Sequence, residues 1–460
     1  MRLQWDSSAA IGTDSNSPNT KIFRPAPKSS LRKRGLRDIL NARDQNLCGG
    51  KMTNNNFAKL ILCSLMLTTT GLELRADDAA TLPKGLWRVR WAGAFTYVTD
   101  RFDSSGTSSS LGDDYSLTIG TSFLSALKPQ VKELVKNLNA VQPGLGDNLN
   151  IAEINMEIET NIISNRFVVE YGITDRLSVG AILPVATATT QVTANSQSTA
   201  DFQTALAAAP DAIKPALMAM AQATSVEAMN QSLRQDLGYD SGLESWSGTG
   251  LGDLELGAKY NYLKTHPFQL SFKAGVRLPT GRTDDPNNLF DVAFGDGQYD
   301  LGFYNYADYH LLGNLYFSWE AGYTVQLPHT SSYRVPVIQG VSITPVTAQL
   351  DHKPGDIVET GVEANYDPFR TIKAAVRYQF RQKFEDKFSG GNGISTSALA
   401  ENTDSQLHQA IFTIGYTNIP LVKAKEASLP LEVLVFYQWP FAGENNSQAQ
   451  TTGIQLKSYF

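Results

Sequence analysis

From Gly250 to Thr280 the chain keeps a period of two without a slip. Leu254, Leu256, Ala258, Tyr260 and Tyr262 alternate with Asp253, Glu255, Gly257, Lys259 and Asn261. Lys264-Thr265-His266-Pro267 then reverses the chain. Beyond it Phe268, Leu270, Phe272, Ala274, Val276 and Leu278 alternate with Gln269, Ser271, Lys273, Gly275 and Arg277. Period two is a strand signal. It recurs over residues 86–99, 154–173, 177–185, 299–309, 315–327, 356–366, 371–382, 406–417, 431–439 and 451–460, which makes twelve strands with the opening pair. Short reversals at 174–176, 264–267, 311–314 and 367–369 alternate with longer connections. One apolar face, one polar face and turns of alternating length predict an all-β fold, an antiparallel up-and-down transmembrane β-barrel with its long loops outside the cell. Twelve is even, as closure requires; fourteen follows if 114–121 or 149–158 forms a span of its own. No apolar run reaches the roughly 20 residues of a membrane helix. The mean hydropathy is negative, as expected where every second strand residue avoids lipid.

Two long connections carry helical spacing instead. Leu127, Val131, Leu134 and Leu138 recur at helical intervals in the first. The second, 186–249, is Ala-rich: Asp211 is the expected cap of a helix bearing Ile213, Leu217 and Met220, and Thr224 with Glu227 reads as a capping box for the next. These seven apolar residues form an expected loop-helix gate over the lumen.

With apolar faces toward lipid, the opposite faces give the lumen lining: Arg88, Arg90, Asp253, Glu255, Lys259, Lys273, Arg277, Glu359, Glu363, Lys373, Arg377 and Arg381. Charges there must be paired or wet. Pairing Tyr366 with Arg370 around the turn Asp367-Pro368-Phe369 sets Glu363 opposite Lys373 and Glu359 opposite Arg377; a shift by two residues loses both rungs. Each rung contributes about 0.2–1 kcal/mol, so the argument concerns register.

Residues 1–51 have no apolar periodicity and read as a disordered or non-native extension. Gly49-Gly50-Lys51 ahead of Met52 permits a purine-rich ribosome-binding sequence in the coding strand, so translation is expected to begin at Met52. A secretory signal is expected over 52–76, with Lys59 leading an apolar stretch and Leu74-Arg75-Ala76 before the cut, and the barrel over 77–460. Cys63 does not make a lipobox, because Leu62 precedes it. Loss of 1–76 removes Cys48 and Cys63, so no disulfide is expected. It also removes 12 of 39 basic and 5 of 45 acidic residues, leaving 27 against 40 and a net charge of −13. That balance argues against nucleic acid as a partner.

No catalytic, metal or cofactor constellation stands out. His266 is in a turn, His310 ends a strand, and His329 and His352 share one outer loop. His408 falls on the lipid face and is the one candidate for a barrel-wall hydrolase. Thr283-Asp284-Asp285-Pro286-Asn287-Asn288 has oxygen ligands but not the spacing of a calcium loop.

Several stretches resemble a family of bacterial outer-membrane proteins named for the MetA pathway of phenol degradation. They are Glu170-Tyr171-Gly172-Ile173-Thr174-Asp175-Arg176-Leu177-Ser178-Val179-Gly180 with Leu183-Pro184, Gly250-Leu251-Gly252-Asp253-Leu254-Glu255-Leu256-Gly257, Gly275-Val276-Arg277-Leu278-Pro279-Thr280-Gly281, and Gly295-Asp296-Gly297-Gln298-Tyr299-Asp300-Leu301-Gly302. The resemblance implies passive outer-membrane uptake of small, hydrophobic or aromatic molecules, with the lipid bilayer and a small-molecule solute as partners. A structural or adhesive barrel that binds a partner through its loops is the alternative, and a hydrolase using His408 a third reading. Phe460, with Leu456 and Ile454 on the same face, resembles the terminal signal read by outer-membrane assembly machinery; Ser458 departs from that pattern.

Overall fold

In the computed structural model twelve strands close on themselves. They are β1 (Trp87–Val98), β2 (Asn150–Thr174), β3 (Leu177–Ser198), β4 (Leu254–Lys264), β5 (Phe268–Leu278), β6 (Asp300–Leu312), β7 (Leu315–Gln326), β8 (Ile357–Phe369), β9 (Ile372–Lys383), β10 (Ser405–Thr417), β11 (Leu431–Glu444) and β12 (Gln450–Tyr459). Each pairs antiparallel with its sequence neighbours, and β1 pairs with β12 through Trp91↔Leu456 to shut the ring. Trp87 and Phe460 exchange backbone hydrogen bonds of 2.9 and 3.0 Å at that seam. The structure describes residues 78–460 apart from 122–123, 126–129, 142, 145, 148, 336–342 and 392–394. The expected extension, signal segment and cleavage point, and Leu127, lie outside the described residues.

The faces follow the alternation. Phe167, Phe272, Phe303, Trp319, Tyr323, Phe412, Val435 and Trp439 are exposed on the outside. Arg166, Lys259, Ser271, Arg277, Glu320, Glu363, Arg377 and Gln455 are buried within. An apolar aromatic exterior around a polar interior, with every strand edge paired, is how a β-structure crosses lipid, and the protein is an outer-membrane barrel. Among the described residues no helix is long and apolar enough to cross.

Four expectations change. The spans suggested at 114–121 and 149–158 do not exist: residues 150–158 continue β2, which runs for 25 residues, and Leu117–Gly120 pairs against that extension. A span needs about 9–11 residues, so the β2–β3 hairpin rises far above the bilayer. Alternation continues because the inner face swaps its partner, from lumen at Arg166 to loop core at Ile158, Met156 and Ile154. The outer face turns from exposed Ile163 and Phe167 to exposed Glu157 and Glu153 on the same strand, which marks the upper edge of the lipid band near residue 162.

Secondly, the second long loop begins only after Ser198. The first long loop carries α1 (Gln130–Val141), and the second carries α2 (Ala200–Ala208), α3 (Lys214–Ala223) and α4 (Val226–Gln235). Thirdly, the caps are displaced. Asp211 pairs with Lys214 at 2.9 Å instead of capping, and Ser225 accepts from Ala228 N–H to cap α4, while the Thr224 hydroxyl donates back to Ala221.

Finally, β8 and β9 are offset by four residues from the expected register. Glu363 faces Arg377, Glu359 faces Arg381, Tyr366 faces Ala374, and the chain reverses after Phe369↔Ile372. Glu359 and Glu363 are four apart, as are Lys373, Arg377 and Arg381, so a slide of four restores opposite charges on every rung. Side-chain charge could not separate the two registers. The ladder to β7 does, since Leu315↔Tyr366 and the Asp367 N–H to Asn314 carbonyl bond (2.9 Å) carry β8 past the expected turn.

Orientation can be checked by labelling. Cysteine at exposed Gln231 on α4 should react with a membrane-impermeant maleimide on intact cells, and cysteine at exposed Asn314 only after lysis. The reverse would invert the barrel.

Candidate functional site

Three layers lie along the barrel axis. The upper one is a core of loop side chains. Leu138, Leu217, Met220, Phe202 and Leu233 are buried against Ile151, Ile154 and Met156 of β2, with Val131 and Ile213 at its edge. Of the expected gate residues Val131, Leu138, Ile213, Leu217 and Met220 are therefore brought together, whereas the Leu134 side chain lies outside the described set. Below it the β5–β6 connection folds inward: Val292 and Phe294 pack on Ile162, Ala186 and Ala188 of β2 and β3, and Arg282 holds Asp291 at 2.5 Å.

The middle layer is a cavity, about 1140 Å³ of empty space counted to its open mouth, lined from β1 through β9. Of the expected lumen residues, Arg88, Arg90, Glu255, Lys259, Lys273, Arg277, Glu359 and Arg377 line it. Most of the arginines on this face are matched by acids. Arg88 makes a two-pronged pair with Glu170, both bonds 2.6 Å. Glu255 lies 3.4 Å from Arg166 and 3.8 Å from Arg277, and Arg277 reaches Asp300 at 2.9 Å and Asp296 at 3.2 Å. Arg381 meets Glu359 at 3.4 Å. Lys373 meets Glu432 at 3.6 Å, and Lys457 meets the same carboxylate at 3.0 Å.

Arg377 pairs with Glu320 at 3.0 Å, two strands away. Its path crosses β8 at Gly361, where a Cβ would stand 2.9 Å from the guanidinium Nε; a side chain there would block the pair. Tyr304 is likewise laid flat against the wall, since a Cβ on Gly322 would fall 2.4 Å from its ring. Lys273 sits 5.5 Å over that ring and Lys259 5.1 Å over Tyr306.

Asp253 is a knot of the wall. Its buried carboxylate accepts the N–H groups of Gly281 (2.8 Å) and Asp296 (2.9 Å), drawing three of the quoted sequence stretches to one point. The acids that matter most here, Glu170, Asp296, Asp300, Glu320 and Glu432, are absent from the lumen set read from the sequence. Four of them stand on polar strand faces, and Glu170, Asp300 and Glu432 lie directly opposite Arg88, Arg277 and Lys457 on neighbouring strands, but only the register brings those residues together.

The floor is the segment ahead of β1. Ala79 is fully buried. Its N–H donates to Asp308 at 2.9 Å, and its carbonyl accepts from Asn261 at 2.8 Å and from the Ser271 hydroxyl. Lys259 donates to the Asp78 carbonyl at 3.0 Å, and Leu82 N–H to Ser178 at 2.8 Å. The segment thus lies inside the barrel at the end of the short turns, held there largely by its backbone.

Outside the wall, His352 lies between the Tyr333 hydroxyl (2.8 Å) and Asp386 (3.2 Å). Burial alone would raise the Asp386 carboxyl; hydrogen bonds from His352 and Lys383 outweigh it and hold the group below its usual range. Burial, aided by His352, lowers neighbouring His329. The oxygens of the 283–288 loop serve protein donors: Asp285 accepts from Asn287 N–H, and Asn287 from Arg334. His408 shares a 2.8 Å hydrogen bond with Tyr378 among outer-face aromatics, and no serine hydroxyl bonds to it among the described residues.

Among solved structures the chain is similar to an outer membrane channel from Pseudomonas putida F1, at 11% identity over 84% of this chain and 100% of that one, with a TM-score of 0.48. It is also similar to the TodX deltaS2S3 mutant monoaromatic hydrocarbon channel, at 10% identity over 83% and 92% with a TM-score of 0.34. A third is the CymD monoaromatic hydrocarbon channel, at 10% over 82% and 89% with a TM-score of 0.31. None of the curated proteins compared with the chain matches it. A family description, "Putative MetA-pathway of phenol degradation", matches residues 218–454, which is more than half of the chain and spans β4 through β12. The chain belongs to that family of outer-membrane barrels.

Proposed function

We propose that the protein is a channel for passive uptake of small molecules across the outer membrane, aromatic compounds among them. The observation that carries this reading is the cavity itself: it lies inside the wall, and charged side chains from successive strands line it. A barrel that served only as an anchor for adhesive loops would gain nothing from keeping such a space, because each buried charge costs free energy to desolvate. The family name ties its members to phenol breakdown, which motivates aromatic solutes. The loop core caps the outer mouth and the 78–82 segment narrows the inner one, so passage requires one or both to yield. The apolar loop residues face one another in that core, and the charged cavity below sets what passes. Proteoliposomes should admit small solutes faster than protein-free vesicles in a swelling assay; vesicles that swell no faster would leave the structural reading in place.

A further inference from the structure

We propose that Arg90 anchors a binding site in the lumen cavity for a small organic carboxylate, and, resting on the channel reading above, that the channel selects this anion over its neutral counterpart. Arg90 stands on the inner face of β1, between Val168 on β2 and Lys457 on β12. The cations around it are each matched: Arg88 by Glu170, Arg166 by Glu255, Lys457 by Glu432. Arg90 makes no ion pair or hydrogen bond with any described residue, and its Nε is shut away from solvent.

A guanidinium keeps its charge at every physiological pH, and one with a buried N–H and no acceptor carries an uncompensated desolvation cost. The cavity shares the imbalance, with seven Lys and Arg against five Asp and Glu along its lining. Those five acids lie on the other arginines. A carboxylate entering from outside matches the planar fork of Arg90 with two parallel hydrogen bonds; Val168 stands opposite Arg90 on β2, and Leu82 and the Tyr304 ring line the same cavity. The chain as a whole is acidic, so the excess of positive charge is local to this cavity.

The test compares benzoate with benzamide, which keeps the ring and removes the charge. Calorimetric titration of the detergent-solubilised barrel should show benzoate binding and much weaker benzamide binding. Arg90→Gln should lower benzoate affinity by about tenfold or more, the range of a lost charge-assisted hydrogen bond, and Arg90→Lys by less. Resistance of the folded barrel to SDS in unheated gels verifies each variant; Arg90→Met, which keeps the stem, replaces any that fails. Equal binding of both probes, or benzoate binding indifferent to Arg90, overturns the site. In planar bilayers under a potassium benzoate gradient, the zero-current potential should show benzoate carrying current in the wild type and shift toward potassium in Arg90→Gln. Absence of any conductance with Arg90-dependent binding intact would remove the channel reading and leave the site. Conductance whose selectivity ignores Arg90 would overturn the proposed selection.

Discussion

Replacing Phe272 by Arg should destabilise the barrel by about 2–4 kcal/mol, the cost of a cation on the lipid face near the midplane. Phe272 lies midway along β5 with its side chain outward, 38% exposed and stacked at 6.4 Å on Phe303 of the neighbouring strand. An arginine there can reach neither headgroups nor lumen without bending the strand. The adjacent Ser271 is fully buried and gives its hydroxyl to the Ala79 carbonyl. Ser271→Ala should therefore cost about 0.5–1.5 kcal/mol, one net hydrogen bond, and act on the floor segment. Urea unfolding of the protein in lipid vesicles measures both. A smaller loss at Phe272 than at Ser271 would mean the faces are exchanged.

The strands were readable because lipid and lumen impose opposite chemistry on alternate residues, and from Phe268 to Leu278 nothing interrupts the pattern. The same reasoning could not say where β2 leaves the membrane. Ile154, Met156 and Ile158 alternate just as well against a loop core as a lipid-facing set does against acyl chains; only the change of the outer face from Phe167 to Glu157 records the boundary. Register failed for a different reason. The acids and bases of β8 and β9 repeat every four residues, so two alignments satisfy them equally, and the deciding contacts lie on β7. The cap of α4 was misplaced by one residue because Thr224 and Ser225 offer equivalent hydroxyls.

The cavity was half legible. Polar positions on strands named most of its cations, including Arg90, Arg277 and Arg377. Glu255 was named, but most of their carboxylate partners were not, since Arg377 reaches Glu320 across the gap at Gly361 and Arg277 reaches Asp296 beyond its own strand. The floor left no trace at all. Asp78, Ala79 and Ala80 have no periodicity, and the barrel holds them by their backbone, which every residue shares.

That floor supports the second large effect. Asn261→Ala combined with Asp308→Ala removes the acceptor of the Ala79 N–H and one of the two donors to its carbonyl, leaving the Ser271 hydroxyl. Two net hydrogen bonds amount to about 1–3 kcal/mol, enough to move the seated segment toward release by about 5- to 150-fold. Single-channel conductance in planar bilayers should rise and its open intervals lengthen. The wall should remain intact, because Asn261 and Asp308 point inward and their backbone ladders to Ser271 and Gln269 are unchanged. Lys259 would still hold the Asp78 carbonyl, so adding Lys259→Met to the pair should raise conductance further. Conductance that stays at the wild-type level in the triple variant, with the barrel still resistant to SDS, would show that the segment does not obstruct the path and that the constriction lies above, where Phe294 and Val292 fold in under the loops.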